Sequence, residues 1–217
     1  QSFEGVFGES LTVRDGSIYC SPSTGFIGRF DARDGKMEWM YNYQSVSGHQ
    51  LIGDTRGNAP LIVGNVLVNL SRDTNVIVGL DRRTGKLLWK SYLPLATEII
   101  GQAGENVLIQ GRTTLASINA RSGKIIWHSA YPDKIAGSVS FHNPSIYLAS
   151  QDTIYRYDAA TGIETEIRSL PNTSNTIRNV SMLDQNLYLV TDEPSDEKES
   201  SFVRNALGGS AWEVTAI

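Results

Sequence analysis

Three histidines, one cysteine and a regularly spaced set of carboxylates are the side chains in this sequence best suited to chemistry. His49, His128 and His142 fall at unrelated places with no i, i+4 pairing, so neither a metal triad nor a general-base constellation is indicated. Cys20 stands alone, which excludes an internal disulfide, a cysteine zinc cluster and a CxxC redox motif. It lies in Ser17-Ile-Tyr-Cys20, which reads as strand and points to a buried, inert thiol. No Gly-x-Ser-x-Gly nucleophile elbow occurs. The carboxylates that recur, Asp31, Asp81 and Asp158, share a frame with Asn119, and each has a glycine four residues on: Gly35, Gly85, Gly162 and Gly123. That spacing belongs to a turn rather than to a catalytic pair.

The frame extends to tryptophan. Trp39, Trp89, Trp127 and Trp212 each follow a glycine by four residues, with Gly208 preceding the last. At this glycine content the chance of that is roughly one in ten thousand, so the chain is a repeat. Two copies are degraded: Asp158 and Gly162 are followed by Glu166 in the tryptophan place, and Gly208 and Trp212 carry Arg204 in the Asp place.

An Asp or Asn that opens a tight turn accepts hydrogen bonds from backbone N–H groups two or three residues on. A glycine that closes it takes positive φ without steric cost. Each copy therefore predicts a β-hairpin with a G1-type bulge, and the flanks agree, as in Val76-Ile-Val-Gly-Leu80 leading into Lys86-Leu-Leu-Trp-Lys-Ser-Tyr92. Two further short strands precede each hairpin, for example Ser10-Leu-Thr-Val13 and Ser17-Ile-Tyr-Cys20 in the first copy and Asn179-Val-Ser-Met-Leu183 and Asn186-Leu-Tyr-Leu-Val190 in the fifth. No window of a dozen residues sustains a helical apolar period. Repeats of about forty residues with four strands each predict an all-β chain, a β-propeller whose blades are four-stranded antiparallel sheets. A single propeller domain over 1–217 divides into blades at about 1–46, 47–96, 97–134, 135–171 and 172–217.

With 217 residues, 40% of them hydrophobic, the chain can bury a sizeable core. No apolar run approaches the length of a transmembrane helix, and Gln1-Ser-Phe-Glu-Gly lacks the basic and apolar regions of a signal peptide, as a mature chain also would. A net charge of −4 with no Lys/Arg cluster argues against nucleic acid as a partner. Three Asn-x-Ser/Thr sequons, at Asn69, Asn172 and Asn179, are close to chance expectation for thirteen asparagines.

The runs Phe30-Asp-Ala-Arg-Asp-Gly-Lys-Met-Glu-Trp39, Leu80-Asp-Arg-Arg-Thr-Gly-Lys-Leu-Leu-Trp89 and Ile118-Asn-Ala-Arg-Ser-Gly-Lys-Ile-Ile-Trp127 closely resemble the repeat of PQQ-like, quinoprotein-type β-propellers. The resemblance implies that Trp39, Trp89, Trp127 and Trp212 dock between neighbouring blades, and that the protein works outside the cytoplasm. The same repeat serves quinone-dependent dehydrogenases, an outer-membrane assembly lipoprotein and luminal sensor domains. The dehydrogenase branch implies a Ca²⁺ site of Glu, Asn and Asp, a catalytic Asp and an adjacent cysteine pair, none of which maps onto this chain. No cofactor, metal site or catalytic residue is therefore expected.

A rigid ring of sheets with variable loops suits protein or peptide recognition, and a small molecule or glycan in the channel is the alternative. Two loops stand out. One spans 44–57 and carries His49, Asp54 and Arg56; the other, Thr191 to Ser201, is acidic and polar and carries Glu193, Asp196 and Glu197. Tyr41, Tyr43, Tyr92 and Tyr131 follow hairpins and are expected to cover blade rims. The five copies fit either a small closed ring or part of a larger one.

Overall fold

The computed structural model of the chain describes residues 11–22, 25–43, 58–71, 76–131, 139–150, 153–169, 177–183, 186–192 and 212–216. Every regular element among them is a β-strand. Sheet 1 comprises β1 (Leu11–Arg14), β2 (Ser17–Cys20), β3 (Phe26–Asp31) and β4 (Met37–Asn42). Sheet 2 comprises β5 (Leu61–Val63), β6 (Val66–Ser71), β7 (Val76–Asp81) and β8 (Leu87–Tyr92). Sheet 3 comprises β9 (Ala96–Ala103), β10 (Asn106–Gly111), β11 (Thr114–Asn119) and β12 (Ile125–Ala130). Sheet 4 comprises β13 (Ser140–His142), β14 (Ser145–Ala149), β15 (Thr153–Asp158) and β16 (Glu164–Ser169), and sheet 5 comprises β17 (Ile177–Leu183), β18 (Asn186–Asp192) and β19 (Trp212–Ala216). In every sheet each strand hydrogen-bonds to the next in the chain, the meander of a propeller blade. The chain forms two compact units, Gln1–His128 and Ser129–Ile217.

In the first unit the cores lie between sheets. Tyr19 and Ile27 of sheet 1 pack on Ile62, Leu67, Val78 and Leu80 of sheet 2. The other face of sheet 2, with Val66, Val68, Leu70 and Ile77, packs on Val107, Ile109, Ala116 and Ile118 of sheet 3. Strand β6 is buried on both faces, which is why Val66-Leu-Val-Asn-Leu-Ser71 runs apolar without alternation. Asn69 in its middle is fully buried, so this sequon offers no glycan acceptor. The last strands β4, β8 and β12 share one pattern in which only the tryptophan and the residue two further on turn inward. In the second unit Ala149, Ile154, Val180 and Leu189 form a core with Tyr147 and Leu187.

The turns that close the hairpins are alike in sheets 1 to 4. The N–H groups of Gly35, Gly85, Gly123 and Gly162 donate to the carbonyls of Asp31, Asp81, Asn119 and Asp158 at 2.8–2.9 Å, and all four glycines have φ of 70–72°. The side-chain oxygens accept from the turn as well: Asp81 Oδ1 takes the N–H of Arg83 at 3.1 Å and those of Thr84 at 2.9 Å (N–H) and 2.8 Å (hydroxyl). Asp158 repeats this with Ala160 and Thr161, and Asn119 with Ser122. Register shifts just before the turn in sheets 1, 2 and 4 are the bulges that this geometry requires.

Each tryptophan whose contacts are resolved seats on the turn of the following sheet. The Trp39 indole N–H donates to the Arg82 carbonyl at 3.1 Å, and its ring lies where a Cβ on Gly85 would stand, with Cε3 2.6 Å from that point. Trp89 donates to the Ala120 carbonyl at 2.8 Å and its ring covers Gly123. It also lies flat over Gly79 of its own sheet, which pairs with it across β7 and β8. Glycine is obligatory at 85 and 123 twice over, for the left-handed backbone and for the ring above it.

The fifth copy departs from the frame. Strand β19 pairs directly with β18, Asp192↔Trp212 through Tyr188↔Ala216, so Trp212 stands on the strand in third place rather than on a fourth. In the sequence of this copy Arg204 stands where the others carry Asp or Asn. Strand β18 also continues through Thr191 and Asp192, where the composition reads as loop, because both residues pair with β19. Of the tyrosines expected at blade rims, Tyr92 is exposed, Tyr41 and Tyr43 pack against the sheet 1–2 core, and Tyr131 is buried.

Replacing Trp89 with Ala removes a packed indole and its hydrogen bond to sheet 3, and the expected loss is about 3–5 kcal/mol. A urea titration checks it through the midpoint at unchanged slope. A loss under about 1 kcal/mol would mean that the indole does not hold sheets 2 and 3 together.

Candidate functional site

In the first unit the two ends of the sheets differ. One end carries only short turns, at residues 15–16, 64–65 and 104–105 and in the Asp/Asn-to-Gly loops. The other carries the connections 21–25, 72–75, 93–95 and 112–113, which are no longer than the turns, and the long span between β4 and β5. His49, Asp54 and Arg56 of that span lie outside the described residues, as do Glu193, Asp196, Glu197 and Gly208. His128 and His142 are exposed, on β12 and β13.

At the short-turn end an open, polar cleft of about 600 Å³ is lined by Arg29, Asp31, Asp34, Lys36, Met37, Glu38 and Arg83. Its chemistry follows from which of these groups are already committed. The Arg29 guanidinium sits 5.8 Å from the Tyr19 ring centroid. Its Nε reaches Glu38 at 2.6 Å and Ser17 Oγ at 3.0 Å, while Nη1 donates to the Arg83 carbonyl at 3.3 Å. Arg29 is thus a pin from sheet 1 into the turn of sheet 2. Asp31 is held by Arg33, through Nη2 at 2.8 Å and the backbone N–H at 2.8 Å. That pairing lowers its pKa to about 2. The hydroxyl of Thr84 and then its backbone N–H lower Asp81, and Thr161 does the same for Asp158. A carboxylate so held is a poor general base. Among the described residues no group of three His, Cys, Asp or Glu side chains is placed to hold a metal ion.

A smaller groove of about 280 Å³ lies between the turns of sheets 2 and 3, lined by Val63, Val66, Gln102, Glu105, Ala120 and Arg121 among others. Between sheets 1 and 2 the equivalent space is filled by side chains. Arg14 donates to the Ile62 carbonyl at 3.2 Å, and Arg82 pairs with Asp15 at 2.9 Å. Val63 and Ala120 stand in register where Arg14 and Arg82 stand, too short to close the gap.

Sheets 1 and 4 share a device that frame-reading overlooks. Arg156 Nε donates to Ser145 Oγ at 2.9 Å, as Arg29 Nε does to Ser17. The signal was present as Ser-Ile-Tyr at 17–19 and 145–147 with an Arg two residues before the turn Asp. In sheet 4 Arg156 then meets Glu166, the residue in the tryptophan place, at 3.4 Å. Ser91 and Ser129, two residues after Trp89 and Trp127, were also overlooked. Each donates at 2.6 Å to the carbonyl of a turn glycine, Gly123 and Gly162 respectively. Burial, reinforced by Glu164 at 3.0 Å, pushes the Tyr157 hydroxyl upward and keeps it protonated.

Blades of this meander, with a glycine-closed Asx turn and a tryptophan docked on the next turn, define a β-propeller of PQQ-like repeats. The family model described as outer membrane protein assembly factor BamB matches residues 1–98 and 72–191, and the chain belongs to that family. Among solved structures, BamB from Moraxella catarrhalis superposes with a TM-score of 0.62 at 17% identity, covering 88% of this chain and 59% of its own. The quinohemoprotein alcohol dehydrogenase ADHIIG from Pseudomonas putida HK5 gives 0.55 at 13%, over 88% of this chain and 45% of its own. In sequence, the tetrathionate hydrolase of Acidithiobacillus ferrooxidans is 25% identical over 78% of this chain and 39% of its own length. The 1-butanol dehydrogenase (quinone) of Thauera butanivorans is 35% identical over 37% of this chain and 13% of its own. The chain therefore spans less than two thirds of the length of each of these relatives, from 13% to 59%.

The depressed carboxylates give a pH dependence with a definite sign. Their folded pKa values lie below the unfolded value of about 3.9, so their stabilisation is complete above that pH. It is lost as pH falls, through about 2 for Asp31. Urea midpoints at pH 5 and pH 3 should fall less in Asp81→Asn and Asp158→Asn, which copy Asn119, than in the parent chain. An equal fall in variants and parent would show that these turns do not contribute to acid sensitivity.

Proposed function

We propose that the protein is a non-catalytic scaffold outside the cytoplasm that binds a protein or peptide partner through the loops opposite the short-turn end. The observation that carries this reading is the commitment of the regular polar groups. Asp31, Asp81, Asn119 and Asp158 are consumed by turns, and Arg29 and Arg156 by pins between strands and turns. Membership of a family described by an assembly factor supports it. The two segments that depart from the repeat, the span holding His49, Asp54 and Arg56 and the acidic segment holding Glu193, Asp196 and Glu197, are the proposed recognition elements. No nucleic-acid role is proposed; a small molecule or glycan in the channel is the second binding mode to test.

The quinone dehydrogenases among the relatives favour a second reading, in which the sheets carry a quinone cofactor with its metal. The described residues do not supply that donor set: their repeating carboxylates are bound into turns, and among them no three potential ligands converge. No step is assigned to such a group.

Two measurements separate the readings. Photo-crosslinking residues placed at Asp54, Arg56 and Asp196 should each yield the same discrete protein adduct in the native compartment, while Thr84 and Ser122 at the turn end yield none; adducts from turn positions alone would overturn the scaffold reading. Adding PQQ with Ca²⁺ should leave the melting temperature unchanged, since a ligand of the native state stabilises it by mass action. A saturable upward shift at micromolar cofactor would establish the enzyme reading instead.

A further inference from the structure

Two exposed aliphatic pairs stand at matching places in the first unit. Leu87 and Leu88, which follow Lys86 after the turn glycine of sheet 2, are 39% and 47% exposed; Ile125 and Ile126, which follow Lys124 in sheet 3, are 41% and 48% exposed. Sheets 1 and 3 both pack on sheet 2, yet neither covers Leu87 or Leu88. The repeat does not need these side chains. Leu80 pairs with Leu87 and Gly79 with Trp89, so Leu88 is the residue bulged out of the ladder between β7 and β8. By register its counterparts are Glu38 in sheet 1 and Thr165 in sheet 4, and the same turn and bulge form around them. Glu164 likewise stands in sheet 4 where Leu87 stands in sheet 2.

Cations surround both pairs. The segments 81–88 and 119–126 hold Arg82, Arg83, Lys86, Arg121 and Lys124 against the single carboxylate of Asp81, in a chain whose net charge is −4. Arg82 is paired with Asp15. Arg83, Lys86, Arg121 and Lys124 are exposed, and among the described residues no salt bridge engages them. Trp89, next to Leu88, donates to the carbonyl of Ala120, next to Arg121, and this sets the two hairpins side by side. The neighbouring short turn adds one acid, Glu105, beside Arg121. We propose that the paired hairpins of sheets 2 and 3 dock on an anionic phospholipid surface, with the four free cations at the headgroups and Leu87, Leu88, Ile125 and Ile126 entering the interface. The combination selects this occupant. A protein interface would have to desolvate cations that have no acid of their own, and lysine is depleted from the buried core of such interfaces. At a lipid surface the charged heads keep water and phosphate while the aliphatic side chains are buried beside them.

The test is co-sedimentation of the chain with sucrose-loaded vesicles of phosphatidylcholine alone or of an equimolar mixture with phosphatidylglycerol. Binding is expected to the mixed vesicles only, and it should weaken as sodium chloride rises. Leu88→Thr combined with Ile126→Thr copies the residue that sheet 4 carries at its bulge, Thr165, so the fold is kept. This variant should bind at least about tenfold more weakly at an unchanged melting temperature. Lys86→Gln combined with Lys124→Gln should also bind at least about tenfold more weakly, since each cation near an anionic surface contributes about fivefold. No binding to the mixed vesicles, equal binding to both compositions, or undiminished binding by either double variant overturns the proposal. So does a discrete protein adduct from photo-crosslinking residues at Thr84 and Ser122, which would assign the face to a protein partner. A parent chain that dimerises, with a Leu88→Thr, Ile126→Thr variant that does not, would assign it to a second copy and overturn the proposal as well.

Discussion

The seating of an indole on a left-handed glycine in the next sheet is the interaction on which the first unit depends. It couples two requirements that are usually separate. The glycine must exist so that the hairpin can turn, and it must lack a side chain so that the neighbouring ring can approach. Because the indole N–H ends on a backbone carbonyl of that same turn, any change that opens the turn also loosens the sheet before it. The Asp or Asn side chain that braces the turn is therefore a remote support of the interface, although it touches neither ring.

Where the indole is replaced, the compensation is weaker. In sheet 4, Glu166 meets Arg156 at 3.4 Å with both side chains substantially exposed, and an exposed pair of this kind contributes at most about 1 kcal/mol. A buried indole contributes several times that. Where the tryptophan is kept, a serine two residues on adds a second link to a turn: Ser91 reaches the Gly123 carbonyl and Ser129 the Gly162 carbonyl, both at 2.6 Å.

These relations explain which features could be read from the chain. The Asp81–Gly85–Trp89 spacing encodes a local turn and a strand phase, both properties of consecutive residues, so hairpins and blades were legible. The pins were not, because Arg29–Ser17 and Arg156–Ser145 join residues eleven or twelve apart whose pairing depends on register. Nor was the position of Trp212, since a glycine four residues before a tryptophan specifies a hairpin only if an acceptor opens the turn, and Arg204 is none. Tyr131 is buried and Tyr92 exposed because they stand four and three residues after their tryptophans, and Leu93, the counterpart of Tyr131, is buried as well. The proposed recognition loops were marked by their departure from the repeat, which identifies them as different without specifying what they meet.

The division of labour between the two ends of a blade follows from the same constraint. A turn that must present glycine, a free carbonyl and a braced Asp or Asn at fixed spacing has little freedom to vary, since each position serves the next sheet. At the opposite end the span between β4 and β5, although its Asn58 is tied to sheet 3 through the Thr97 carbonyl at 3.1 Å, is the longest connection, and closure entropy changes slowly with length. Insertions are therefore tolerated there at little cost to the interfaces. Under the proposed function, changes in the long span between β4 and β5 can alter recognition while the indoles, glycines and carbonyls that join sheets 1 to 3 stay in place.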